Sequence, residues 1–382
     1  MKVSVVIPAL NEEKTIGICV GKALKTIKAL GLEGEVLVAD NGSTDKTKDI
    51  AESLGARVVS ISEKGYGNAY IGGFEEAKGE YLIMGDADDS YNFEEVEPYV
   101  KKLDEGYDFV MGNRFKGKIE KGAMPFLHRY LGTPVITFVM NLFFKTGIGD
   151  SNCGMRGLTK KAFQEMRLKA SGMEFAAEMV VKASLVKLKI AEVPCNLYRD
   201  KRGRKPHLKT WQDGWRNLRF LMLFSPRWIF MVPGVTLLTL GAVGMISLLL
   251  RDVIDPGSWG FISQKHMLSF LLLFLVGSQV VGQGLAAQAF TFSKYFDQAS
   301  KSMKFLQRHF NLEKGILSGV VLMFLSISVF LYLFISYYFR IFPFLTELVR
   351  FDIAILAIAG SVTGIQVIFT SFLLSLSYFK VK

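Results

Sequence analysis

Beyond Arg227 the chain carries four long stretches without a charged side chain: residues 228–250, 267–293, 315–339 and 353–379. Each exceeds the roughly 20 residues that a helix needs to cross the hydrocarbon core of a bilayer. Buried helices of a soluble protein are the competing reading, and four such runs in succession argue against it. The sequence is that of a membrane protein. Lys and Arg in the short loops set its orientation. The loop between the second and third runs holds Lys294, Lys301, Lys304, Arg308 and Lys314. The other two are poorer, with Arg251 and Lys265 in one and Arg340 and Arg350 in the other. Residues 201–227 are densely basic, and Lys380 and Lys382 close the chain. Both termini and everything before the first run are therefore expected in the cytoplasm. The chain opens on a strand-like run at residues 3–7, so no signal peptide is expected.

Half of the 382 residues are hydrophobic, and their uneven spread divides the chain. Residues 1–209 alternate short apolar runs with charged stretches, as a soluble domain does. Residues 210–227 mix Trp, Phe and Leu with Arg216 and Arg219, which suits an amphipathic helix lying in a membrane surface. Residues 228–382 form the expected four-span domain. A net charge of +11 fits anionic headgroups and anionic substrates, and its position beside the spans disfavours nucleic acid. The three cysteines, Cys19, Cys153 and Cys195, lack metal-ligand spacing and are odd in number, so disulfides and zinc are both disfavoured.

Within the first 115 residues strands and helices alternate. Strands are expected at 2–9, 35–41, 57–61, 81–86 and 109–112, and helices at 12–30, 44–54, 67–77 and 94–103. Ser43 or Thr44 is expected to cap the second helix, with Asp45 near its positive end. Further strands are expected at 154–160 and 190–198, with a helix at 174–188 between them. Residues 126–145 form a helix too short to span, for which core packing and membrane-surface contact both stand. The whole predicts a largely parallel, helix-covered sheet. Ligands in such a sheet bind beyond the carboxyl ends of its strands. Asp40 and Asp86 to Asp88 stand at two of those ends.

Two carboxylates one residue apart at a strand end, Asp86-Ala87-Asp88, can hold a hard divalent cation against a diphosphate. Alone the pattern is common in surface turns. It is joined here by Pro8-Ala9-Leu10-Asn11-Glu12, Asp40-Asn41-Gly42-Ser43-Thr44-Asp45, Lys64-Gly65-Tyr66-Gly67-Asn68-Ala69 and Gly72-Gly73-Phe74. In this order and spacing the elements resemble the nucleotide-binding half of glycosyltransferase family 2, which implies a GT-A fold, an α/β Rossmann-like catalytic domain. Gly112-Asn113-Arg114, Arg129, Thr133, Asp150-Ser151-Asn152-Cys153-Gly154-Met155-Arg156 and the basic loop 198–209 narrow the resemblance to the polyprenyl-phosphate sugar synthases. Three positions depart from that group: Asn41 where a second Asp is usual, Ser90 where Gln is usual, and Lys205-Pro206-His207-Leu208 in the basic loop.

The resemblance implies transfer of one hexose, with inversion, from a nucleotide sugar of GDP-mannose or UDP-glucose type to dolichyl or undecaprenyl phosphate. It implies Pro8, Leu10, Glu12, Asp40, Lys64, Asp86, Ala87 and Asp88 around the donor. Asp88, assisted by Asp86 and Ser90, would hold Mg²⁺ or Mn²⁺. Arg114, Arg129, Thr133, Arg202, His207 and Lys209 would meet the acceptor phosphate, with Asp86, Asp88, Arg114 and Arg202 forming the catalytic set. A lipid phosphate is already ionised at neutral pH and needs no general base, whereas guiding two anions together needs cations. Glu178 matches a glutamate of the group without an assigned role, and His128 reads as structural. The expected partners are the nucleotide sugar, the polyprenyl phosphate and the membrane, with a homo-oligomer open.

Three rivals stand beside this reading. A processive polysaccharide synthase would want Gln-X-X-Arg-Trp, and Gln212-Asp213-Gly214-Trp215-Arg216 reverses the last pair. A glycolipid transferase would need a base, for which Glu174 and Glu178 are the candidates. A lipid-sugar translocation protein with an inactive transferase domain would leave Asp86, Asp88, Arg114 and Arg202 without selection to keep them. Inside the spans the marked polar residues are Gln279, Gln283, Gln288 and Gln366, while Gly277, Gly282 and Gly284 permit close helix packing.

Overall fold

The structure, a computed structural model, describes residues 1–203, 210–254, 260–295, 311–339 and 347–378. His207, Lys209, Lys301, Lys304, Arg308, Arg340, Lys380 and Lys382 lie outside the described residues. The chain divides into two units, Met1–Leu221 and Met222–Lys382.

The first unit is built on a sheet of seven strands in the order β3-β2-β1-β4-β6-β5-β7. They are β1 (Val3–Ala9), β2 (Gly34–Asp40), β3 (Arg57–Ser60), β4 (Tyr81–Met84), β5 (Phe109–Asn113), β6 (Arg156–Thr159) and β7 (Ile190–Pro194). The helices are α1 (Ile16–Ala29), α2 (Thr47–Ser53), α3 (Tyr66–Glu76), α4 (Glu97–Asp104), α5 (Thr133–Phe144), α6 (Lys160–Met166), α7 (Phe175–Leu185) and α8 (Thr210–Leu223). Strands β1 and β4 are buried over nearly their whole length, the continuous apolar reading that a sheet covered on both faces produces. All expected strands form, each within a few residues of its expected bounds.

Register explains why scattered motifs meet. Strand β1 pairs in parallel with β2, Ala9 opposite Asp40, and with β4, Val6 opposite Met84. Because β2 and β4 flank β1 on opposite sides, the crevice beyond β1 is a topological switch point. Strand β6 is antiparallel to both β4 and β5, and β5 is parallel to β7. The reversed β6 is the one departure from the expected parallel pattern. It leaves β5 and β7 running the same way as β1 and β4, so the residues after β1, β4, β5 and β7 and those before β6 emerge at one edge.

Two local expectations are corrected. Helix α2 starts at Thr47, where Asp45 Oδ1 accepts from Thr47 N at 3.0 Å, while Ser43 Oγ accepts from Asn11 N at 2.9 Å. The N-cap position is Lys46, which makes no side-chain cap, Asp45 just before it takes the first helical amide, and Ser43 ties two strand ends together. The helix expected at 126–145 begins as a single π turn, His128–Gly132, before α5. Pro134 follows directly and has no N–H to continue an α-helical ladder from that turn. Ile136, Thr137, Met140 and Phe144 bury one side of this segment, and Phe126, Tyr130, Leu131, Val135, Phe138 and Leu142 stand exposed. Core packing and an outward apolar face both occur.

The second unit contains a π turn, Arg227–Met231, followed by α9 (Val232–Ile254), α10 (Gly260–Tyr295), α11 (Leu312–Phe339) and α12 (Glu347–Tyr378). Four segments within these are long and apolar enough to cross a bilayer: Arg227–Arg251, Lys265–Thr291, Leu312–Phe339 and Glu347–Leu376. Glycines let the helices close. A Cβ on Gly241 or Gly277 would collide with the facing backbone of Phe274 or Leu238, and Gly319 and Gly364 face each other between α11 and α12. Ser278 Oγ donates to Gln366 Oε1 at 2.5 Å, which satisfies one of the marked glutamines.

Candidate active site

A cavity of about 700 Å³ opens at the shared strand edge of the first unit. Its wall includes Pro8, Leu10 and Glu12 after β1, Lys64 and Tyr66 at the start of α3, Asp86, Ala87, Asp88 and Ser90 after β4, Arg114 after β5, and Arg202 after β7. His128, Gln212 and Arg216 also belong to it. Most of the residues implied for donor, metal and catalysis thus converge.

The acidic pair is held from several sides. Asp86 Oδ1 accepts from the Tyr66 hydroxyl at 3.0 Å, and its Oδ2 accepts no hydrogen bond among the described residues. Burial, and then the neighbouring Asp88 charge, push the Asp86 carboxyl up to about 6. Asp88 Oδ1 accepts from Ser90 N at 3.0 Å and Ser90 Oγ at 2.6 Å. Its Oδ2 meets Arg202 Nη2 at 2.6 Å. Asp89 turns away with φ of 58° and pairs with Lys22 at 2.6 Å and Lys201 at 2.7 Å. Buried Asp88 and partly exposed Asp86 present hard oxygens, and the raised Asp86 pKa marks a carboxylate that a neighbouring cation would stabilise, so the pair fits a divalent metal ion. Ser90 is committed to orienting Asp88.

Arginines line the opposite chemistry. Arg202 reaches Asp88, Glu12 at 3.4 Å and Asp200 at 2.9 Å, and the surrounding carboxylates raise its pKa despite the cost of burial. Its segment is sewn to the strand end by Tyr198 N donating to Ser90 O at 2.9 Å and Lys201 N to Asp88 O at 3.2 Å. Arg114 is buried, with Nε and Nη2 donating to the two oxygens of Asp150 at 2.7 and 2.8 Å. That bidentate pair fixes the plane of the guanidinium. Burial and then the Arg114 charge both hold His128 below its ordinary range.

Among the described residues, three that were implied are not brought to the cavity wall. Asp40 is fully buried and closes its own turn, accepting from Gly42 N at 3.0 Å and Ser43 N at 3.2 Å and pairing with Lys48 at 3.2 Å. Its neighbour Asn41 reaches the wall instead, donating to Ile61 O at 3.3 Å and Glu63 O at 2.7 Å and accepting from Gly65 N at 2.8 Å. An aspartate could not make those two donations, which gives the departure at position 41 a physical reason. Arg129 is exposed over the Tyr130 ring, 5.5 Å from its centroid, and Thr133 is buried beside Asn152. Sequence reasoning missed Tyr66 and Asn41 because neither is charged. His128, read as structural, stands in the wall.

Residues 4–167 match the model of glycosyl transferase family 2, and residues 285–377 match the family 2 C-terminal transmembrane region. The chain is 31% identical over 223 residues to glycosyltransferase AglJ of Haloferax volcanii, covering 58% of this chain and 71% of that one. The chain belongs to glycosyltransferase family 2. Its sheet is that of the GT-A fold, and the enzyme is a membrane protein. The family 2 enzyme is also 39% identical over 244 residues to the low-salt glycan biosynthesis hexosyltransferase Agl6 of the same organism, an alignment over 64% of this chain and 58% of that relative's length. It is 26% identical over 317 residues to the undecaprenyl-phosphate 4-deoxy-4-formamido-L-arabinose transferase of Klebsiella pneumoniae subsp. pneumoniae, covering 80% of this chain and 93% of that relative.

Proposed function

We propose that this glycosyltransferase moves one hexose from a nucleotide sugar to a polyprenyl phosphate at the cytoplasmic membrane surface. The observation that carries the proposal is a single cavity whose wall holds both the Asp86–Asp88 pair and Arg114 with Arg202. The undecaprenyl-phosphate sugar transferase named above supports a polyprenyl-phosphate acceptor, and the hexosyltransferase Agl6 supports a hexose donor.

In this reading Pro8, Leu10, Glu12, Asn41 and Lys64 cradle the nucleoside diphosphate. Asp86 and Asp88 would hold a Mg²⁺ or Mn²⁺ ion, which when bound supplies Lewis-acid stabilisation of the departing diphosphate. Arg114 meets the acceptor phosphate through the edge of its guanidinium that Asp150 leaves open. Arg202 is drawn from Asp88 to phosphate oxygen once donor and acceptor enter. A phosphate oxygen of the lipid forms the bond to the anomeric carbon from the face opposite the leaving diphosphate, whose bond to that carbon breaks, so the configuration inverts. No proton has to be removed from the nucleophile. The exposed apolar side chains of 126–142 continue from Met124, Pro125 and His128 of the cavity wall, a surface suited to lipid.

The rivals fare less well. Glu178 is buried and engaged by backbone amides and Lys182, which does not suit a general base for a glycolipid hydroxyl. Trp215 is exposed and outside the cavity wall, although Gln212 and Arg216 belong to it, which disfavours a polymer-holding platform. Membranes bearing the enzyme, given radiolabelled nucleotide sugars and polyprenyl phosphate, should yield a lipid-linked monosaccharide cleaved by mild acid. A base-stable glycolipid or a long polymer would overturn the proposal.

A further inference from the structure

Helix α7 is buried, yet it carries a carboxylate and an ammonium one turn apart. Glu178 and Lys182 are each 1% exposed and pair at 2.8 Å. Taking two charges out of water is costly unless further hydrogen bonds satisfy them. Both sets of bonds go to the 167–173 loop. Glu178 accepts from Lys169 N at 2.9 Å and Ala170 N at 2.8 Å, and Lys182 Nζ donates to Arg167 O at 2.5 Å.

With its amides turned towards α7, the loop aims its next carbonyl the other way. Ser171 O accepts from Gly67 N at 2.8 Å and Asn68 N at 3.4 Å, where α3 has no side-chain cap. The two glycines flanking Tyr66 exist for this approach. A Cβ on Gly65 would strike Ser171 O and one on Gly67 would strike Ala170 O, and Gly65 has φ of 133° as well. Between them Tyr66 donates to Asp86, and at the far end of the loop Gly172 and Met173 form part of the cavity wall.

We propose that Glu178 and Lys182 are positioning residues for the donor end of the cavity. They hold the 167–173 loop against the start of α3, and so fix Lys64 and Tyr66 where the nucleoside diphosphate binds. The inference rests on the reading of that end as the donor site. It makes the pair a determinant of donor affinity and leaves the acceptor side and the chemical step to other residues.

The test uses the full-length enzyme in membranes or detergent, with UDP and GDP as calorimetric probes. Glu178→Gln and Gly67→Ala attack the same contact from its two sides. Each should raise the donor KM and weaken nucleotide binding about tenfold while kcat and the lipid KM stay within about twofold. Glu178→Gln leaves Lys182 buried without its counter-charge, so its Tm should also fall. Glu178→Gln with Lys182→Met removes that penalty and should recover the Tm but not the donor KM. Should the single variant fail to fold, the double variant carries the test. Donor KM recovering together with Tm, or unchanged nucleotide binding in all three, would overturn the inference. A wild-type enzyme that binds neither nucleotide would overturn the donor-site reading itself.

Discussion

Large apolar side chains distinguish the two units of the chain. In Met1–Leu221 they lie inside, with Val5, Ile7, Leu82 and Phe109 fully buried. In Met222–Lys382 many lie outside, with Phe324 69% exposed and Leu376 68%, around a small buried cluster that includes Met245, Met267 and Ile355. The first unit folds by hiding hydrocarbon from water, while the second brings helix backbones together at glycines and leaves hydrocarbon for lipid. Against that contrast the 126–142 run is anomalous. Phe126 is 78% exposed and Phe138 65%, values that belong to the second unit although the residues belong to the first. The difference teaches that one edge of the first unit is finished with exposed hydrocarbon, and that this edge adjoins the cavity.

The sharpest way to break the comparison is to remove chemistry from the first unit alone. Asp88→Ala should lower transfer by at least about 10³-fold with helix content and Tm retained, since it removes an electrostatic anchor of the transition state. Undiminished turnover would exclude Asp88 from the site. Arg202→Ala comes next, at about 10²-fold in kcat/KM, because phosphate loses a charge-assisted donor. Kinetics equal to wild type would make its loop a plain surface contact.

A smaller effect sharpens the anomaly. Phe126→Glu with Phe138→Glu should raise the KM for a long-chain polyprenyl phosphate about tenfold and leave turnover of a short water-soluble prenyl phosphate unchanged. Equal effects on both acceptors would make the exposed run irrelevant to lipid. A separate effect is on stability and runs against function. An acid whose pKa is higher in the folded state holds its proton longer there, so folding loses stability as pH rises from 3.8 to about 6 and the cost persists above. Asp86→Asn removes this cost. In the presence of EDTA it should stabilise the enzyme at pH 7.5 by on the order of 2–3 kcal/mol and hardly at all below pH 4. A variant no more stable at pH 7.5 would contradict a carboxylate whose charge is disfavoured in the folded state.

The strands and spans were legible because apolar runs bounded by turns and long charge-free stretches are one-dimensional signals. The direction of β6 was not. Its four residues, Arg156 to Thr159, carry no mark of direction, which is set by the flanking β4 and β5. Helix α6 escaped because seven residues give too little periodicity, although Thr159 accepts from Ala162 N at its start. In the site, acidic and basic residues at strand ends were legible through parallel-sheet topology. Which of two adjacent residues faces the cavity was not, as Asp40 and Asn41 demonstrate. Nor could spacing reveal that the Arg114 fork is shared with Asp150, or that Glu178 and Lys182 spend their charges on a loop.

The central claim is that donor and lipid phosphate meet in one cavity beside the apolar run. It is tested most directly with a polyprenyl phosphate bearing a photoreactive group next to its phosphate. After irradiation, peptide mapping should find adducts within 124–129 and at Gln212 or Arg216, and Arg114→Ala should abolish them. Adducts confined to the span helices, or untouched by that substitution, would contradict it.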